Sequence, residues 1–163
     1  MATEPTTVQS TLLGALRGAH SVLEGTMADV TNEIANRPAA GLANPIGSAY
    51  AHAVLAEDAA VHALLQQGQP PLLATTWAGR TGTDLPMPFP GDDGSAGTLD
   101  DWYRSVTVDI DACRAYAQAV YAATEAFLTG ADEAELSARL TCPSPAWAPC
   151  RWRRSLPSSS SGI

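Results

Sequence analysis

A chain of 163 residues suits one domain, large enough to bury a single core. It is 45% hydrophobic but only 6% aromatic, and alanine, the best helix former, supplies much of the apolar content, so the composition points to an all-α fold. The net charge is −8 and there is no lysine, which disfavours nucleic acid and anionic membrane as partners, since both need a basic footprint.

The spacing predicts a first helix from about Thr7 to Asn36. Leu12, Leu16, Leu23, Met27, Val30 and Ile34 recur at three- and four-residue steps that draw one stripe, with His20 in the gap between Leu16 and Leu23. Pro38 ends it by pushing its predecessor out of the α region. A second helix starts with Asn44 as cap and Pro45 at the first helical position, and runs through IGSAYAHAVLAEDAAVHALLQQ to near Gly68. Ile46, Tyr50, Val54, Val61, Leu64 and Leu65 share one side, and an alanine flank containing His52 forms another, so both surfaces are expected to pack. From about Gln69 to Gly97 a connection rich in proline, glycine and aspartate favours turns, with Trp77, Leu85, Met87 and Phe89 to pin it to the bundle. Thr98 or Asp100 caps a third helix whose apolar series is Trp102, Val106, Ile110, Cys113, Ala117, Val120 and Phe127, and Gly130 terminates it. The acidic segment ADEAELSARL adds one or two helical turns.

The cysteines, Cys113, Cys142 and Cys150, are odd in number, and their spacing fits neither a CxxC pair nor a zinc ribbon, so reduced thiols in a cytoplasmic protein are expected. The first residues lack the basic and apolar regions of a signal peptide. No apolar run approaches the roughly 18 residues that read as a membrane-spanning helix.

From Thr141 the character changes. TCPSPAWAPCRWRRSLPSSSSGI has recurring prolines, two tryptophans, the basic cluster Arg151, Arg153 and Arg154, a serine run and no period. The chain therefore divides into a helical domain, 1–140, and an irregular tail, 141–163. A disordered extension is one explanation, but such tails are poor in tryptophan and cysteine. A one-base reading-frame slip near Thr141 is the other, and we favour it. Read as the third base of one codon plus the first two of the next, Trp147–Ala148 becomes Gly, and Ala146–Trp147 and Pro149–Cys150 each become Leu, Met or Val. With TCN serine codons, Pro157 to Ser161 becomes four residues drawn from Phe, Leu, Ile and Val. The shifted text is a loop, a capped start and an apolar helix.

The stretch NPIGSAYAHAVLAEDAAVHALLQ, following LLGALRGAHSVLEGTMADVT, resembles the DinB-like (YfiT-like) family over residues 8 to 140. The resemblance implies an up-down-down-up four-helix bundle with a long crossover, here with its fourth helix missing or replaced by the irregular tail. It also implies a homodimer and a divalent metal, Zn or Ni, held by one histidine on helix two and a pair on helix four. Characterised relatives include thiol-dependent transferases and isomerases. The helix-two ligand maps to His52; the pair has no counterpart, because no histidine follows His62. The metal of the intact parent is therefore not expected in this chain.

Each candidate residue has a plainer alternative. His52 is a metal ligand in the parent or a packed core histidine. His20 orients a site residue or acts as an acid/base group from within the stripe of the first helix, or simply bonds Glu24 four residues on. Glu57 falls on an apolar side, where an unpaired carboxylate is costly. It supports a metal ligand from behind or acts as a general base, or it pairs with Arg104 or Arg114. Asp58 and His62 share helical spacing and read as a solvated or interface pair. The functional readings are a metal-dependent thiol transferase or isomerase parent, a non-catalytic bundle holding a small thiol or apolar ligand, or an inactive truncated product.

Overall fold

The computed structural model describes residues 7–38, 40–41, 43–66, 69–89, 98–132, 134 and 136. The tail from Thr141, where the sequence leads us to expect a frame slip, lies outside the described residues with Cys142, Cys150 and the arginine cluster, as do Gly68 and residues 90–97. The described part is all-α: α1 (Val8–Met27), α2 (Asn32–Ala35), α3 (Ile46–Ala59), α4 (Leu99–Ser105) and α5 (Ile110–Gly130). Ala60–Leu65 carries α3 onward as a π-helix, and Leu72–Ala74 is a short 3-10 turn.

Three long rods make the bundle. Gln9 at the start of α1 donates to the carbonyl of Leu128 at the end of α5 (2.8 Å), while Arg114 near the start of α5 reaches the carbonyls of Met27 and Val30 at the end of α1. These two rods are therefore antiparallel. Side chains of Tyr50 and Glu57 on α3 meet Glu24 and His20 on α1, in reverse order, and Thr124 on α5 also meets Glu57. The directions are thus up, down, down for α1, α3 and α5. The core between them is Met27, Tyr50, Val54, Cys113, Tyr116, Ala117 and Val120, all buried.

Two predicted helices are broken, and the breaks explain each other. The first stops at Met27, and Thr31 caps a new short helix by accepting from the Ile34 amide. The third is interrupted at Val106–Asp109, where an isolated antiparallel bridge joins Val108 to Thr83. Asp109 then caps α5. An interrupted helix exposes backbone groups that need partners. Asn32 accepts from the Ile110 amide (2.7 Å), and Asn36 both accepts from and donates to the Val108 backbone (2.8 Å each). Arg114 serves the carbonyls left open at the end of α1. No apolar period could announce these bonds, because they are made by asparagines and an arginine.

Smaller corrections have equally local causes. Asn44 does not cap α3; Pro45 occupies the cap and its carbonyl accepts from the Ala49 amide (3.1 Å). Ile34 and Ile46 are exposed, because the turn of α2 buries Ala35 against Gly47 instead. Met87 is buried and Trp77 and Phe89 pack on the core, as expected, whereas Leu85 offers its carbonyl to the Trp102 indole (3.2 Å) and leaves its side chain exposed.

Gly82 locks the connection to α5. It has φ +83, and a Cβ there would lie 2.5 Å from the Cys113 amide nitrogen and 2.7 Å from the Asp109 carbonyl oxygen. Gly82→Ala combines a left-handed backbone with a clash against backbone atoms that cannot swing away. A loss of about 2–4 kcal/mol is expected. Chemical denaturation checks this, and a midpoint equal to that of the parent contradicts it.

Candidate functional site

Three histidines are present in the chain, and the structure places them in three different surroundings. Two of the predicted site residues meet. His20 Nε2 lies 2.8 Å from Glu57 Oε2, and the Thr124 hydroxyl donates to Glu57 Oε1 (2.6 Å). Both carboxylate oxygens accept, so Nε2 of His20 carries the proton. The ring stacks on Tyr121 with centroids 3.6 Å apart. Glu24 is not the partner of His20; its Oε1 accepts from the hydroxyls of Tyr50 and Tyr121, each at 2.8 Å. Glu57 likewise bonds neither Arg104 nor Arg114. Tyr50 and Glu57 are two turns apart on one row of α3 facing α1 and α5, but Glu57 meets α5 at Thr124, whereas Arg114 lies almost three turns earlier on α5 and is engaged by the carbonyls of Met27 and Val30.

The resulting network joins two carboxylates, two phenols, an imidazole and a hydroxyl inside a bundle of apolar residues. Burial, reinforced by the bonds to Glu24, pushes the hydroxyls of Tyr50 and Tyr121 far above the usual phenol range. Burial, then Glu24, pushes the Cys113 thiol up to about 12. Burial and the bond to Asp58 raise Tyr116 in the same way. All four groups hold their protons more tightly when folded than when unfolded. Their stabilisation is complete below the ordinary thiol and phenol values of 9.0 and 10.0, and fades as pH rises through the folded values. The melting temperature should therefore fall between about pH 9 and pH 12. A flat profile across that window contradicts the buried network.

His52 stands apart. Its Nδ1 is 3.2 Å from Met87 Sδ, and its ring tilts against Tyr103 at 5.2 Å. Burial lowers its pKa, which favours the neutral ring that metal binding requires. A zinc-type ion needs at least three protein ligands. Among the described residues no group of three His, Cys, Asp or Glu stands close enough to hold one. The residues described do not fit the metal that the family resemblance implied.

Sequence reasoning misjudged the third histidine. Asp58 is completely buried and His62 nearly so, rather than solvated. Asp58 accepts from the amides of Leu72 (3.0 Å) and Leu73 (2.8 Å) and from the Tyr116 hydroxyl (2.6 Å), with His62 Nδ1 at 2.8 Å. It fastens the start of the long connection to the core. The i,i+4 spacing was visible; the two amides that draw the carboxylate inward were not.

At the end where α1 begins and α3 and α5 finish, the rods leave an open apolar cavity of about 440 Å³. Leu12, Leu16, Leu65, Phe127, Leu128 and Leu136 line it, with Ala15 and Ala19 between. No described helix is long and apolar enough to cross a membrane.

The sequence of residues 15–154 matches the family model of the DinB superfamily. The chain belongs to the DinB superfamily. The matched span runs from within α1 through α5 and continues past Thr141. No curated protein and no solved structure matches the chain. For a DinB member, the observed up, down, down order of the described rods agrees with the first three helices of the up-down-down-up bundle that the resemblance implied.

Proposed function

We propose that this DinB-superfamily chain derives from a divalent-metal-dependent thiol transferase or isomerase, and that in its present form it is a non-catalytic helical bundle that binds a small ligand. The supporting observation is the separation of its histidines. His20 bonds Glu57, His62 bonds Asp58, and only His52 remains at the position of the family's helix-two ligand. In the intact parent, on this reading, a metal would activate a bound thiol or water. Here His52 would be the one ligand retained, and His20 and Glu57 would brace the bundle beside the site. The open apolar cavity supports the ligand-binding half of the reading.

The test is metal titration of two proteins, this chain and a version with the reading frame restored from Thr141. The chain as it stands should bind neither Zn(II) nor Ni(II) stoichiometrically. The restored chain should take up about one ion and lose it on His52→Ala. A restored chain that stays metal-free sinks the enzyme ancestry and leaves the ligand-binding reading. Sequencing the codons around Thr141 tests the slip itself. Self-association is part of the same proposal, since an uncovered apolar face favours pairing of copies; light scattering showing only monomer contradicts it.

A further inference from the structure

His52 and Met87 come together from positions 35 residues apart. His52 stands on α3. Met87 stands in the long connection, which the Trp102 indole holds in place by donating to the Leu85 carbonyl two residues earlier. Met87 is buried, and His52 is half-buried at the edge of the core. Nδ1 of the imidazole and Sδ of the thioether are 3.2 Å apart. A thioether is a weak hydrogen-bond acceptor, so the contact contributes little as a hydrogen bond. As metal donors, however, an imidazole nitrogen and a thioether sulfur suit a soft ion, and a thioether selects Cu(I) over harder divalent ions.

A zinc-type ion fails here on the number of ligands. A monovalent ion with a filled d shell has no preferred geometry, and two donors hold it. Metal bonds to imidazole nitrogen and to sulfur run to about 2.0 and 2.3 Å, so an ion seats between the two donors once Sδ draws back by about 1 Å, which the three rotatable bonds of methionine allow. Binding at Nδ1 leaves the ring proton on Nε2, so the neutral ring that burial favours is kept. The Tyr103 ring tilts against His52 at 5.2 Å, and Trp102 packs edge-on against Tyr103 at 5.5 Å. Such aromatic surroundings exclude water and disfavour a doubly charged ion more than a singly charged one.

We infer that His52 and Met87 form a binding site for a soft monovalent metal ion, Cu(I), held between Nδ1 and Sδ. The site needs no fourth helix and no further histidine, so it belongs to the chain as it stands.

The test is titration of the full chain with Ag(I), a redox-stable stand-in for Cu(I), followed by NMR. Cys142→Ser and Cys150→Ser keep the thiols of the tail from competing; Cys113 is buried and stays. One equivalent of Ag(I) should shift both the Nδ1 resonance of His52 and the methyl resonance of Met87, and leave the rings of His20 and His62 in place. Zn(II) should shift neither. Anaerobic competition against the Cu(I) chelator bicinchoninate then compares affinities. Met87→Leu, which conserves volume, and His52→Asn should each weaken Cu(I) binding by more than about tenfold, since a direct donor matters more than a residue that only supports one. Circular dichroism checks that both variants fold. Silent His52 and Met87 resonances, a shift confined to one of them, equal shifts with Zn(II), or an unchanged Cu(I) affinity in Met87→Leu would each overturn the inference. None of these outcomes touches the Zn(II) and Ni(II) titration of the frame-restored chain, so the two readings fail separately.

Discussion

Replacing Asp58 by alanine should unfold a large fraction of the protein's stability, by about 3–5 kcal/mol. The side chain is fully buried and accepts from three donors: two backbone amides of the connection and the Tyr116 hydroxyl, while His62 Nδ1, 2.8 Å from the carboxylate, bonds the Asp58 backbone carbonyl. Removing it strands these three donors in a space that water reaches poorly, and each buried orphan costs about 1–3 kcal/mol unless it relaxes. Total stabilities of domains run to only about 5–15 kcal/mol. The melting temperature should drop by about 10 °C or more. Tyr116→Phe removes one donor and leaves the carboxylate its two amides, so its cost should be smaller, about 1–2 kcal/mol. Calorimetry of both variants decides the matter: an Asp58→Ala protein melting within a degree or two of the parent would show that the clasp does not hold the connection.

Glu24→Ala is expected to be the next most damaging change, at about 2–4 kcal/mol, because one carboxylate oxygen serves both Tyr50 and Tyr121. Tyr50 is almost wholly buried, so its hydroxyl cannot simply turn to water. The loss should be partly recoverable. In a Glu24→Ala background, Tyr50→Phe removes the stranded hydroxyl and should restore about 1 kcal/mol, whereas in the parent the same substitution should destabilise. That reversal of sign, measured by chemical denaturation, is the signature of the shared acceptor. Simple additivity of the two substitutions would contradict it.

The rods were legible in the sequence where apolar residues repeat. Trp102, Val106, Ile110, Cys113, Ala117 and Val120 are all buried, even though the helix that was to carry them breaks between Val106 and Ile110. The break keeps the same faces inward, so the pattern survives while the continuity does not. The site was legible only as residue types. His20 and Glu57 stood out as polar groups on apolar faces, but their mutual bond crosses 37 positions of sequence and depends on the rotation of two rods. Glu24, Tyr50 and Tyr121 gave no separate signal, since tyrosine at helical spacing reads as ordinary core. Asp58 and His62 misled because an i,i+4 acid–imidazole pair is usually a surface feature. What pulled them inward was the amides of Leu72 and Leu73, backbone groups that no residue pattern announces.

The apolar end of the bundle, where a cavity lined by Leu12, Leu16 and Phe127 remains open, is on this reading the seat of a rod that the shifted frame no longer encodes. The most direct measurement is a side-by-side thermal melt of the chain and its frame-restored version, each with the neutral apolar dye N-phenyl-1-naphthylamine present. The restored protein should melt at least about 10 °C higher and leave the dye dark, because a fourth helix would cover the leucines. Equal melting temperatures and equal dye fluorescence in the two proteins would contradict the claim that these helices were shaped around a missing partner.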